Sequence, residues 1–571
     1  MTNDQGRMTL PPYIPAWPDL RPFVADLWLL GTAVAVLLVA FVVRRPNTAA
    51  ATVAFVGMAG GLVSLLAVGP ADGGRFAPML AADGVAFFWK VLLLTFALGV
   101  VLLWFATTRF ETPEGDGPEF FLLLASATLG LSLMGSAANL LMLLLAVEMA
   151  SLPSYALAGF RKRHKPAAEA AMKYVLFGAA ASAVMIWGLS LVYGACGTLN
   201  LYPAMLADGT RVAGVADRAV AVGQAGVGGG AGLLLAGLLA VVVGLGFKVS
   251  AAPFHLWAPD VFEGARVDVA AFLSVASKGA GLVLTLRLAA ALAEPAGAAT
   301  APASLTLAGV LAGMAALTCT LGNTAAYAQT NLKRLLAYSS IAHAGYMLCA
   351  VALVAGGGGA AGGATAASAG DAGHPGTHAL LLYLAVYLFM NLGAFAVVAV
   401  VGRQVGGVTL AHFAGLGRRA PALAGAMTLC LFSLIGVPPL AGFTAKFTLM
   451  TALATAGGWW WALVAVVAAN TLLSIYYYAG VVRAMYLQEP AAAAGDGTAE
   501  GLAADDAAGA GDLPFGQNRL GTGLAVGSAF VLVVLFVGGN ALSRAASAHA
   551  TLRSAGRPAA AGQPVATAAT P

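Results

Sequence analysis

Charge is scarce in this 571-residue sequence. Asp, Glu, Lys and Arg make up 9% of it, against roughly 25% in ordinary soluble domains. So few charges cannot clothe a water-facing surface, and 60% of the residues are hydrophobic, so a soluble enzyme is excluded and the chain reads as an integral membrane protein. The formal net charge of +5 is spread over short clusters with no long basic stripe, which fits membrane orientation and excludes a nucleic-acid interface. Cysteine is nearly missing as well. Cys196, Cys319, Cys349 and Cys430 form no CxxC pair, which argues against a metal cluster or a disulfide framework. Phosphate-loop chemistry is also lacking: the run GVGGG near 226–230 has no preceding strand and no GK[ST]. No cleavable signal peptide is evident, and the first apolar run reads as an ordinary span.

What the sequence has in abundance is long apolar runs. A bilayer needs about 20 apolar residues per helical crossing. Fourteen candidates lie near 27–43, 49–69, 84–107, 119–136, 139–160, 170–195, 230–258, 268–293, 304–325, 332–356, 378–402, 420–451, 459–488 and 521–539. The fold class is therefore an all-α membrane protein. Residues 196–229 read as a Gly- and Ala-rich linker, 356–376 as a low-complexity segment, and 489–518 as an acidic disordered loop. Arg44 and Arg45, the group Arg161, Lys162, Arg163 and Lys165, then Lys333 and Arg334, and finally Arg418 and Arg419 fall in loops on one side. The loops on the side of the termini are poorer in Lys and Arg, so both termini are expected to face outward.

Ionisable residues at membrane depth are the sharpest feature, since each costs about 2.5–3.5 kcal/mol on insertion scales. Glu148 lies midway along its span. Lys248 closes an uncharged run just before Pro253, which should break the helix near Val249 and set the lysine beside exposed carbonyls. Lys278 sits near the centre of the next span. Lys446 follows GVPPLAGFTAKF, where Pro438 and Pro439 again interrupt an apolar run. His343 is near mid-span too. Burial disfavours a lysine's charged form and a nearby carboxylate restores it, so Glu148, Lys248, Lys278, His343 and Lys446 can pass protons along. Weaker candidates have structural readings as strong as functional ones. His255 follows the first break, while Glu169 and Lys173 form an i,i+4 pair that either feeds protons inward or anchors its helix. Lys90 is explained by snorkelling to the outer end of its span. His374 and His378 have metal-like spacing in a loop context that disfavours a site. The two interrupted helices are the fourth members of two five-helix blocks, spans 4–8 and 9–13. Five is odd, so a second copy enters the membrane inverted. The expected division is residues 1–118 (three N-terminal helices), 119–293 and 294–488 (the repeats), 489–520 (an inner loop) and 521–571 (a last helix with a flexible outer tail).

Four stretches resemble a known family: AEAAMKYVLFGA (168–179), FKVSAAPFHLWAPDVFEGA (247–265), LKRLLAYSSIAHAGYML (332–348) and GVPPLAGFTAKF (436–447). They resemble the antiporter-like membrane subunits of proton-pumping NADH:quinone oxidoreductase, respiratory complex I, and among these subunit N. The resemblance runs from about span 4 through span 13. It implies that Glu148 matches the fifth-span glutamate, Lys248 the lysine of the broken seventh span, Lys278 that of the eighth, His343 the tenth-span histidine and Lys446 the twelfth-span lysine near the outlet. It also implies a multi-pass protein of the cell's inner (plasma) membrane with no redox centre of its own. NADH, flavin, iron–sulfur clusters and quinone would belong to partner subunits. An Mrp-type cation/proton antiporter subunit is the alternative. One departure stands out. Where the family continues EGA with proline-threonine-proline, this chain has Arg266 and Asp268 at the proline positions, so a less rigid loop is expected there.

Overall fold

The computed structural model describes residues 17–70, 75–76, 79–107, 112–113, 115–205, 211–224, 230–293, 301–357, 374–489 and 518–550. Most of the acidic segment 489–518, the core of 356–376, nearly all of GVGGG and the tail from 551 lie outside the described residues. The principal helices are α1 Val24–Val42, α2 Pro46–Val68, α3 Gly84–Ala106, α4 Gly117–Ser136, α5 Leu140–Ala158, α6 Lys165–Cys196, α7 Gly230–Val249 and α8 Trp257–Gly264. They continue as α9 Val267–Ala293, α10 Ala301–Ala326, α11 Leu332–Ala355, α12 Pro375–Val405, α13 Pro421–Ile435, α14 Ala441–Ala456, α15 Trp460–Leu487, α16 Arg519–Val537 and α17 Gly539–Ala548. Among the described residues, β structure amounts to two pairings of two-residue strands and three isolated bridges.

Thirteen of the described helices are long and apolar enough to cross a bilayer. The expected crossing at 420–451 is instead two shorter helices, α13 and α14, parted at GVPPL. The expected 230–258 stops at Val249, where Ser250 takes a left-handed φ of 61° and the chain runs irregularly to α8. Proline explains both interruptions, since Pro253 and Pro438–Pro439 cannot donate to a helix ladder and clash with the turn before them. Two other expectations need correcting. The segment 196–229 is more than a linker, because it holds a short antiparallel strand pair and a helix, Val215–Gln224. The C-terminal tail begins with helix α17, whose end reaches α3: the His549 carbonyl lies where a side chain on Gly84 would stand.

The packing repeats as the sequence pattern suggests. In the block α4–α9, the first helix packs on the second, the third on the interrupted fourth, the fourth on the fifth, and the first on the fifth. The same four pairings recur in α10–α15. The two blocks bury α9, α11 and α12 at the centre, whereas α1, α2 and α16 keep much of their surface open, as helices facing lipid do.

Candidate functional site

The site is a row of polar side chains threading five central helices. It starts on α5, where Glu148 and Ser151 are three residues apart and so share a face. Lys248, on the last turn of α7, donates to Ser151 Oγ at 3.1 Å. Ser151 in turn donates to the Val147 carbonyl at 2.6 Å, so its hydroxyl is oriented to accept from the lysine. Glu148 Oε1 has no hydrogen-bond partner inside the chain. The expected carbonyl environment of Lys248 is not found. The Phe247 carbonyl at the break accepts from both the Ser250 amide at 3.0 Å and the Trp257 indole at 3.1 Å, and the Lys248 ammonium turns to a hydroxyl instead.

From α7 the row passes to α9. A Cβ on Gly281 would stand 3.3 Å from Lys248 Cγ and 2.9 Å from Val249, so glycine is what lets the two helices close up here. One turn before Gly281 is Lys278, fully buried, with its ammonium donating to Ser340 Oγ on α11 and lying 5.3 Å from the centre of the Phe262 ring. Immediately ahead of Lys278, α9 widens into a π-helical turn, Leu273–Ser277. Apolar periodicity gives no sign of such a turn, because an extra residue in a helix buried all round changes no surface pattern.

Helix α11 carries the row onward through Ser340, His343 and Tyr346, which stand three residues apart on one face. His343 Nδ1 pairs with the Tyr383 hydroxyl at 2.8 Å, and its ring stacks 5.2 Å from Tyr387 and meets Tyr346 edge-on at 5.5 Å. Lys446 closes the row from α14, with its ammonium 4.7 Å above the Tyr346 ring. It donates to the Ile435 carbonyl at 2.9 Å, the group exposed where α13 ends, and lies 3.4 Å from Thr471 Oγ1. Lys248, Lys278, His343 and Lys446 are all at most 4% exposed. The structure thus gathers Lys248, Lys278, His343 and Lys446 into one chain of neighbours, with Glu148 beside its first link. His255 lies in the first break and makes no hydrogen bond to the members of the row.

The remaining candidates resolve differently. Lys90 does not snorkel: it is buried and bonded to Asp26 at 2.5 Å, and Ser132 donates to the same carboxylate at 2.5 Å. Asp26 was missed because it sits near the start of the first span, where an acid reads as interfacial. Lys173 bonds Glu169 as expected, at 2.7 Å, and also Asp260 at 2.7 Å; Arg334 bridges Asp260 and Glu263, each at 2.8 Å. Burial pushes the Asp260 carboxyl up, but the bonds and charges of Lys173 and Arg334 outweigh it and hold the group below the usual range. His374 and His378 do separate work: the former caps α12 through Gly376, and burial pushes its imidazole down to about 4, while the latter meets Ser543. The loop at 266–268 is not slack. Arg266 and Asp268 form a buried ion pair at 2.8 Å, and the guanidinium sits 4.6 Å over Phe120.

The transmembrane family described as NADH:quinone oxidoreductase/Mrp antiporter matches residues 137–473, which contain the whole row. A protein named NADH-quinone oxidoreductase subunit N from Anaeromyxobacter sp. (strain Fw109-5) is 41% identical over 397 residues, 68% of this chain and 71% of that protein. A chain in the structure of respiratory complex I from Thermus thermophilus with bound aureothin is similar with a TM-score of 0.69 and 31% identity, over 92% of this chain and all of that one. A chain of the Mrp complex from Dietzia sp. DQ12-45-1b gives a TM-score of 0.70 at 18% identity, over 94% and 97% of the two chains, a likeness of fold alone.

Proposed function

The chain belongs to the NADH:quinone oxidoreductase/Mrp antiporter transmembrane family, and we propose that it is the proton-translocating subunit N of a bacterial NADH:quinone oxidoreductase. One observation carries this reading: Lys248, Lys278, His343 and Lys446 are buried in one row, in which Lys248 packs beside Gly281 one turn from Lys278, Lys278 bonds Ser340 one turn from His343, and Lys446 faces Tyr346 one turn beyond. Lys248 releases a proton when the balance between its burial and the charge of Glu148 shifts, and the proton moves past Lys278 and His343 to Lys446. Lysine suits this work because its ammonium can give up its proton inside protein, whereas arginine stays charged.

The chain conducts and does not oxidise. NADH, flavin, iron–sulfur clusters and quinone act in partner subunits, and their redox energy drives the row. Residues 1–118 form an N-terminal three-helix unit, 119–293 and 294–488 the two inverted repeats, 489–520 an inner loop and 521–571 the last helix and outer tail. Both termini face outward across the inner membrane, as the Lys- and Arg-rich loops suggest. The identity to subunit N relatives, higher than that to the Mrp chain, favours the redox-driven complex over a stand-alone antiporter.

The test is Lys248→Ala and Glu148→Ala, each in the assembled complex. Both should depress NADH-driven proton pumping while leaving much of the assembly intact. Normal pumping in both removes the assignment. Purification of the tagged chain should bring flavin and iron–sulfur subunits with it; an Mrp-type partner set would move the chain to the other branch of the family.

A further inference from the structure

Helix α9 is pinned at both ends by buried arginines that the proton row does not use. At its start, Arg266 donates through Nη2 to Asp268 Oδ2 at 2.8 Å and through Nε to Oδ1 at 3.2 Å. Its third arm reaches Thr112 Oγ1 at 3.2 Å, and its face lies 4.6 and 5.6 Å from the Phe120 and Phe160 rings. Near the other end, Arg287 forms a forked pair with Asp83, with arms of 2.7 and 2.9 Å, and donates through Nε to the Gly135 carbonyl at 2.6 Å. Arg287 and Asp268 have no exposed surface at all.

Between these anchors lies the π-helical turn at Leu273–Ser277, directly before Lys278. A π turn holds one residue more than an α turn. If it relaxed, one part of the helix would rotate against the other by about 100°, one residue's share of a 3.6-residue turn. Lys278 would then swing away from Ser340. Relaxation needs one end of α9 to turn. The Arg266–Asp268 fork lies within the start of α9 and only sets the guanidinium's direction, so that end is tied to its neighbours by the bond to Thr112 and the contacts with the Phe120 and Phe160 rings. The planar Arg287–Asp83 fork, by contrast, ties the other end to the start of α3 and tolerates little rotation.

We infer that Arg266 and Arg287, each with its aspartate, are positioning residues that hold the register of α9 so that Lys278 stays aimed along the proton row. The inference rests on the proposed translocation. At residues 266–268 the aspartate holds the guanidinium against Thr112 and the two Phe rings, which anchors the helix start by contact where prolines were expected to stiffen it.

Two double variants test it, Arg266→Leu with Asp268→Leu and Arg287→Leu with Asp83→Asn, the asparagine keeping the bond to the Ala86 amide that caps α3. Removing both partners avoids stranding a buried charge. In membranes holding the whole complex, the readouts are complex abundance and protons pumped per NADH oxidised, with Lys278→Ala in the same series. The expected result is assembled complex that oxidises NADH but pumps about twofold or more fewer protons per NADH, as misplaced groups do. An unchanged ratio in the assembled variants overturns the inference, and so does failure of both variants to assemble, which would assign the pairs to stability alone. Normal pumping by Lys278→Ala would instead overturn the function on which the inference rests.

Discussion

The two helix breaks are built from the same parts and treat their lysines differently. At the second break, Lys446 takes the carbonyl that the break exposes, Ile435, and has the Tyr346 ring and Thr471 nearby. At the first, the Phe247 carbonyl is occupied by the Ser250 amide and the Trp257 indole, and Lys248 is left with one hydroxyl, Ser151, and Glu148, whose Oε1 is unbonded. One lysine is held by its own break and the other leans on side chains of a neighbouring helix. An ammonium with fewer fixed acceptors depends more on a nearby charge, so the first break is the one a moving partner can control. Duplicated architecture has produced a site suited to letting go and a site suited to holding.

Arginine at either position should have the largest effect. Lys248→Arg and Lys446→Arg keep the charge but not the ability to lose a proton, so pumping should drop about tenfold or more in both, measured as NADH-driven acidification of inverted vesicles. Full pumping by either variant would reduce that lysine to a fixed charge and break the comparison at its root. Next in size is the contrast between acceptors. Ser151→Ala strips Lys248 of its one bonded acceptor, a loss of about 1–3 kcal/mol, and should slow pumping several-fold. Thr471→Val leaves Lys446 its carbonyl and ring, and should leave pumping within about twofold. Equal effects would mean that the breaks are alike after all.

Tyr346 sharpens the picture on the Lys446 side. Tyr346→Leu removes a cation–π contact of about 0.5–2 kcal/mol and should lower pumping modestly. Tyr346→Phe keeps the ring and loses only the bond from Asn323, so it should do less. Smallest of all is Asp260→Asn, on the half-exposed ionic cluster beside α8, worth about 0–1 kcal/mol in thermal stability. Because the Asp260 carboxyl is held below its ordinary range, its contribution is complete above that range and lost only as pH falls through the lowered value. The difference between variant and parent should therefore stay constant from about pH 6 to 8.

The row was legible in the sequence because charge is costly in hydrocarbon: Glu148, Lys248, Lys278, His343 and Lys446 stand out against apolar runs, and proline marks both breaks. What escaped notice is what charge pattern alone cannot reveal. Asp26, Asp83 and Asp268 lie at the ends of spans, where an acid costs little and looks interfacial, and only the fold folds them inward against Lys90, Arg287 and Arg266. The choice of Ser151 over a backbone carbonyl for Lys248 depends on Trp257, nine residues away along an irregular segment. The π turn left no trace because α9 is buried on every side and has no exposed face whose pattern it could shift.

The bond between Asp26 and Lys90 sets a condition on how such a chain can be shortened. Deleting α1 would leave an ammonium in α3 without its counter-ion among nonpolar neighbours, at a cost no lipid could meet. A leaner version lacking that helix would have to exchange residue 90 for a neutral side chain in the same step. Position 90 is thus where the loss of the first helix would leave its mark.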